Sequence, residues 1–238
     1  MKLLALDTAT EACSAAVWVD GVVLERYQLA PRRHAALILP MIEAVLAEAG
    51  LDVMQLDAIA FSRGPGAFTG VRIAVGIAQG IAFAADLPVV PVSTLAVLAL
   101  GAAREIGQAR IAVALDARMG EVYWGVYAVG DEDAEPLGEE RVCAPGAVSA
   151  PPGEWFGAGS GWAAHAGTLE RNLTVGGWRG ECYPRAGDVA RLAAVPSRRS
   201  EWVAAERALP VYLRNEVVAK PVERIQTGVG NRGAGGLG

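Results

Sequence analysis

A short pattern recurs along this chain and limits what it can fold into. Leu4-Ala5-Leu6-Asp7 is answered by Val113-Ala114-Leu115-Asp116, a shift of 109 residues. The same offset lays Val17 on Val126, Trp18 on Tyr127 and Gly21 on Gly130. An apolar strand, an Asp turn, a second strand and a hairpin glycine therefore recur together, which predicts two related lobes that each open with an antiparallel meander.

The residues between the repeats fit that plan. Leu3 to Leu6, Ser14 to Val19 and Val22 to Leu29 read as short strands, the last two joined by the Asp20-Gly21 hairpin signal. Helical spacing follows over His34 to Ala49, then a strand at Ala58 to Ser62, a helix from Thr69 to Ala85, a strand at Val89 to Val92 and a helix from Ser93. This βββαβαβα order predicts an α/β protein of two lobes in the duplicated actin/sugar-kinase-like (ASKHA) architecture. We place the first lobe at 1–102 and a smaller second lobe at 103–202. A segment at 203–222 is expected to pack back on the lobes, and a Gly-rich, disordered tail spans 223–238. That tail spells GxGxxG at Gly228, Gly230 and Gly233, but no strand precedes the motif and no helix follows it, so it is not a dinucleotide fingerprint.

With 238 residues, 53% of them hydrophobic and 20% charged, the chain can bury a core. A formal net charge of −5 lacks the cationic excess that draws a protein to a phosphate backbone, so autonomous nucleic-acid binding is disfavoured. Cys13, Cys143 and Cys182 form no CxxC, which argues against a disulfide framework or a zinc knuckle. Only four apolar residues separate Lys2 from Asp7, too few for a secretory signal, and Asp86, Pro88 and Pro91 interrupt the long uncharged stretch. A cytoplasmic protein without a membrane span is expected.

Candidate chemistry is sparse. Only His34 and His165 could serve as histidine bases, Ser160 is not in a GxSxG context, and neither HxxxH nor HExxH occurs. No catalytic residue, no metal ligand and no cofactor of its own is assigned. Ser62-Arg-Gly-Pro-Gly-Ala-Phe-Thr-Gly-Val-Arg72 leads from a strand into a helix N-terminus and could receive an anion there. It equally reads as a tight turn with Thr69 as N-cap. Asp7 and Asp116 end the first strand of each lobe, where actin-like kinases hold phosphate and metal. Such loops want glycine, yet Asp7 is followed by Thr8-Ala9-Thr10 and Asp116 by Ala117-Arg118-Met119. Asp7, Thr8, Thr10, Asp116 and Arg118 would thus be a vestigial nucleotide site with degraded phosphate loops.

From Gly70 to Ala85 the only polar residues are Arg72 and Gln79. The helical period puts Ile73, Ile77, Ile81 and Ala84 on an inward stripe and Arg72, Gly76, Gln79 and Phe83 on the opposite one. In the preceding helix Ile38, Ile42, Val45 and Ala49 point inward, leaving Leu37, Met41 and Ala44 on another side. Such faces suit core helices of a larger domain; in a chain this short they suit a docking surface. The partner interface is assigned to Leu37, Met41, Ala44, Arg72, Gly76, Gln79, Gly80 and Phe83, with Gly76 and Gly80 leaving a groove one turn long.

Five segments together carry a family resemblance: Leu4-Ala-Leu-Asp-Thr-Ala-Thr-Glu-Ala-Cys-Ser14, Arg63-Gly-Pro-Gly-Ala-Phe-Thr-Gly-Val-Arg72, Val92-Ser-Thr-Leu95, Asp116-Ala-Arg-Met-Gly-Glu-Val-Tyr-Trp124 and Pro210-Val-Tyr-Leu-Arg214. They resemble the bacterial TsaB (YeaZ) family, weakly between Gly130 and Trp202. The resemblance implies a non-catalytic subunit in the formation of threonylcarbamoyladenosine next to the tRNA anticodon. It implies pairing through the first lobe with the paralogue TsaD, which performs the transfer, and an ATPase, TsaE, that joins the complex. ATP or ADP would belong to the assembled complex, tRNA would be met only through it, and the free chain could homodimerise through the same helices. The rival readings are an actin-type ATPase or a peptidase, and an independent tRNA-binding module.

Overall fold

The computed structural model describes residues 1–195 and 200–214; the expected tail at 223–238 and its GxGxxG lie outside them. β1 (Lys2–Asp7), β2 (Ala12–Val19) and β3 (Val22–Leu29) form the opening meander. Asp20 and Gly21 both take positive φ, 46° and 98°, as the tight hairpin requires. After α1 (His34–Ala49), β4 (Ala58–Ser62), α2 (Phe68–Ala85) and β5 (Val89–Val92), the first sheet has the order β3-β2-β1-β4-β5. α3 (Thr94–Ile106) starts where the Ser93 hydroxyl accepts the amides of Leu95 and Ala96 at 3.2 and 3.4 Å.

The second half runs β6 (Arg110–Asp116), β7 (Val122–Val129), β8 (Ala134–Pro136), β9 (Arg141–Cys143), β10 (Glu154–Ala158), α4 (Ser160–Leu169), β11 (Thr174–Arg179) and α5 (Ala186–Ala194). Its sheet has the order β11-β10-β6-β7-β8, with β9 also paired to β7.

The layers alternate. α1 and α2 cover the outer face of the first sheet, α4 covers the outer face of the second, and α3 and α5 lie between the sheets. The two middle helices cross over: α3 precedes the second sheet and packs on it, whereas α5 follows the second sheet and packs on the first. One core therefore joins Leu3, Ala5 and Trp18 to Leu98, Val189, Val113 and Tyr127. Burial almost all round explains why α3 carries hardly a polar residue before Arg104.

Polar ties fix α5 at its first turn. Glu25 accepts two guanidinium N–H bonds from Arg185, at 2.7 and 3.0 Å, and the amide of Gly187 at 2.8 Å. The Ala186 amide donates to Ser14 at 2.9 Å, and Arg104 donates to the buried Asp188 at 2.6 Å. Carboxylate charge beside a helix N-terminus adds to the hydrogen bonds.

Three expectations need correction. First, the two halves share architecture but not the register of their first hairpins. Asp7 pairs with Ser14 across six residues, whereas Asp116 pairs with Val122 across five. Trp18 and Tyr127 both face the middle core, yet Leu4 faces outward while Val113, its partner in the repeat, faces inward. A slip of one residue exchanges the faces of a strand, so Asp7 and Asp116 are not equivalent positions.

Second, α2 begins at Phe68 with Ala67 in the cap position and no side-chain cap, so Thr69 is an exposed helical residue and not an N-cap. Third, the buried stripe of α2 is Val71, Ala74, Val75, Ala78, Ala82 and Ala85. Ile73, Ile77 and Ile81 flank it half-buried, and Ala84 is exposed. The small residues turn inward because the helix lies close on the sheet, and the isoleucines fill its edges. By length and composition α2 alone among the described helices could cross a membrane, but that alanine stripe packs on the sheet as in a core helix.

Replacing Glu25 with Ala is expected to destabilise the chain by about 1–3 kcal/mol, since it strands both the Arg185 guanidinium and the Gly187 amide. Urea unfolding followed by circular dichroism measures it, and an unchanged midpoint would mean that the tie to α5 contributes nothing.

Candidate functional site

The turn after β1 is filled by the protein itself. The loop between β4 and α2 lies directly on it: the Ala67 amide donates to the Ala9 carbonyl at 2.7 Å, and the Thr8 hydroxyl donates to the Gly70 carbonyl at 2.7 Å. A Cβ on Gly66 would stand 2.3 Å from the Ala9 oxygen, and one on Gly70 would stand 2.1 Å from the Thr8 oxygen. These two glycines are needed so that backbone can approach backbone, not so that it can approach phosphate.

Asp7 sits beneath this contact and is fully buried. Its Oδ1 accepts the Ala9 amide at 3.2 Å, while Oδ2 has no hydrogen-bond partner. Burial pushes its carboxyl up to about 7, against the smaller opposing pull of the Ser62 hydroxyl and the Ala9 amide. Thr8 is buried, and Thr10 is buried with its hydroxyl near the Ala12 amide, at 3.4 Å.

Asp116 and Arg118 are set differently. Asp116 accepts the Arg118 amide at 2.9 Å and its guanidinium at 3.1 Å, and the Asp116 amide donates to Ser160 at 3.1 Å. Arg118, Met119 and Gly120 run through the left-handed region with φ of 63°, 56° and 75°. The Arg214 guanidinium holds this turn by donating to the Ala117 carbonyl at 3.1 Å and to the Glu121 carboxylate. The five residues expected to form one vestigial nucleotide site are thus divided: Thr10, Asp116 and Arg118 line a cavity of about 840 Å³, while Asp7 and Thr8 do not.

That cavity opens between the first turns of the two halves. It is lined by Ala9, Thr10 and Glu11, by Phe68 and Arg72, by Asp116, Arg118 and Met119, and by Val211, Tyr212 and Arg214. Sequence reasoning missed Phe68, Met119, Tyr212 and Arg214 as a group. The signal available was the Pro210–Arg214 segment, a motif without an assigned role, which the fold returns to the cavity through a Val211 amide to Arg63 carbonyl bond of 2.8 Å.

The outer face of α1 and α2 is a second feature. Arg72, Gly76, Gly80 and Phe83 are exposed, Phe83 at 71%, and Gln79, Leu37, Met41 and Ala44 are half-buried. A Cβ on Gly76 or Gly80 would meet nothing within 4 Å. His34 is structural, its Nε2 bonded to the Ala12 carbonyl at 3.1 Å. Among the described residues no three His, Cys, Asp or Glu side chains gather in a metal-holding group.

Gly70→Ala is expected to destabilise the protein by roughly 1–3 kcal/mol, because the methyl group would overlap the Thr8 carbonyl; a thermal melt equal to wild type would rule out the close approach. Asp7→Asn should do the reverse at high pH. Because the folded carboxyl titrates near 7 and the unfolded one near 3.8, the native state binds the proton more tightly. Wild-type stability therefore falls as pH rises between those values. The Asn variant should gain up to about 4 kcal/mol at pH 8 relative to its standing at pH 3, read from urea midpoints across that range.

The family model of TsaD, tRNA N6-adenosine threonylcarbamoyltransferase, matches residues 21–175. The tRNA threonylcarbamoyladenosine biosynthesis proteins TsaB of Escherichia coli and Haemophilus influenzae are each 44% identical over 232 residues. Those alignments cover 92% of this chain and 97% and 96% of the relatives. The solved structure of YeaZ from Pseudomonas aeruginosa superposes with a TM-score of 0.83 at 49% identity, over 89% of this chain and 99% of that one. A second Pseudomonas aeruginosa structure, described as similar to peptidase YEAZ, gives a TM-score of 0.84 at 49% identity, over 90% and 99%. Identity at this level over nearly the full length of both chains, on a two-lobed frame with the same span, makes this chain a member of the TsaB family.

Proposed function

We propose that this chain is a non-catalytic partner subunit in the biosynthesis of threonylcarbamoyladenosine on tRNA, docking through the outer face of α1 and α2 onto the TsaD paralogue that performs the transfer. The observation that carries this reading is the unfilled groove at Gly76 and Gly80, bordered by the exposed Phe83. A large apolar side chain beside a strip without Cβ atoms is the surface on which another helix can seat closely. The TsaE ATPase joins the assembled complex in this reading, and ATP or ADP belongs to that assembly. A second copy of this chain can occupy the face when the paralogue is absent. The work is cytoplasmic, where tRNA is modified.

Two features support a subunit that leaves chemistry to its partner. The turn after β1, where an actin-like ATPase would seat phosphate, is filled by the loop at Gly66 and Gly70. The hydroxyl of Ser160, the serine nearest a glycine elbow in sequence, accepts the Asp116 amide and ties the start of α4 to the end of β6. Both weigh against the ATPase and peptidase readings.

The direct test is threonylcarbamoylation of tRNA by the paralogue and its remaining partners with and without this chain; equal product in both would refute the proposal. Gly76→Glu should weaken capture of the paralogue at least about a hundredfold, near 3 kcal/mol, because docking would bury an unpaired carboxylate. The free variant should melt as wild type does, since the groove is open. Alone, the chain of net charge −5 should bind tRNA weakly at physiological salt. Tight binding with a steep salt slope, measured by filter retention, would favour an independent tRNA-binding module.

A further inference from the structure

The cavity between the two halves is not used by the proposed docking, and its lining describes a ligand. Three large apolar side chains stand exposed around its mouth: Phe68 at 65%, Met119 at 82% and Tyr212 at 44%. Monomeric surfaces seldom gather such residues at one opening without an occupant. Phe68 and Tyr212 stack with ring centroids 6.0 Å apart, and the Arg72 guanidinium carbon lies 3.2 Å from the Phe68 ring centre and 4.8 Å from that of Tyr212. This gathers two rings and a guanidinium in one part of the lining. The volume, about 840 Å³, suits a small organic molecule.

Charge narrows the class. Arg72, Arg118 and Arg214 line the cavity beside Glu11 and Asp116. Arg214 is committed to the Ala117 carbonyl and Glu121. Arg72 donates to the Phe68 carbonyl at 3.3 Å, and Arg118 donates to Asp116 at 3.1 Å, so both guanidinium groups keep N–H donors to spare. A guanidinium with spare donors takes a carboxylate in two parallel bonds. A nucleoside phosphate is a poorer fit, because the turns after β1 and β6 carry Thr8-Ala9-Thr10 and Ala117-Arg118-Met119 where backbone approach to a phosphate would call for glycine.

We propose that this cavity binds a flat, largely apolar molecule carrying a single carboxylate, with the rings of Phe68 and Tyr212 against its body and Arg118 on its carboxylate. The inference does not rest on the docking reading, although Arg72 borders both the cavity and the outer face of α2. The probe is naphthoate, titrated calorimetrically into the full chain beside the uncharged naphthalene methanol and beside AMP.

Naphthoate is expected to bind with a Kd below about 1 mM, and the alcohol at least about tenfold more weakly. Arg118→Asn, which keeps a residue tolerant of the left-handed backbone, and Tyr212→Ala should each weaken naphthoate at least about fivefold. Phe83→Ala, on the helical face, should leave it unchanged. Thermal melts of the variants guard against misfolding, and Arg118, whose side chain is 79% exposed, can be replaced without opening the core. No naphthoate binding, equal binding of the alcohol, insensitivity to Arg118→Asn, or AMP binding as tightly as naphthoate would each overturn the proposal.

Discussion

Everything at the centre of this molecule depends on two carbonyl oxygens, those of Thr8 and Ala9, lying where a side chain on Gly70 or Gly66 would have to be. That contact pulls the loop after β4 onto the turn after β1 and sets where α2 begins. With α2 held by its first turn, its alanine stripe can lie close on the sheet while Gly76 and Gly80 turn to the outside. The closed turn and the open helical face are thus two results of one packing event.

The second dependence is the exchange of helices between halves. α5 returns from the far sheet to cover the first, and Glu25 anchors it with three hydrogen bonds. A chain built this way cannot separate its halves without unpacking one continuous core. Asp7 lies within that core with one oxygen unpaired, a costly arrangement that a purely structural position would avoid by carrying Asn or Ser.

Between the closed turn and the docking face lies Arg72. It belongs to the outer stripe of α2, yet its guanidinium stacks on two rings that line the cavity. Docking face and cavity are therefore neighbours that share one side chain, although their chemistry differs. One face offers apolar groove and bulk; the other offers cations and rings.

Much of the fold was legible in the residues alone. Short apolar runs bounded by turn residues marked the opening strands, Asp20-Gly21 marked the hairpin, and the repeat of Leu4–Asp7 in Val113–Asp116 announced two similar sheets, because those signals are local and act within a few residues. The outward stripe of α2 was readable too, since glycine and phenylalanine at helical spacing leave little else to expect. Register was not readable: a turn shorter by one residue reverses which side of β6 faces the middle core, and no local pattern reports it. Nor could the sequence say that the loop glycines serve a backbone contact, because Thr8 and Gly70 stand 62 residues apart. The cavity was hidden for the same reason, as its walls come from five separate stretches between Ala9 and Arg214. Short-range chemistry determined the elements, and only their packing decided which turn is sealed, which helix face is open, and which arginines meet which rings.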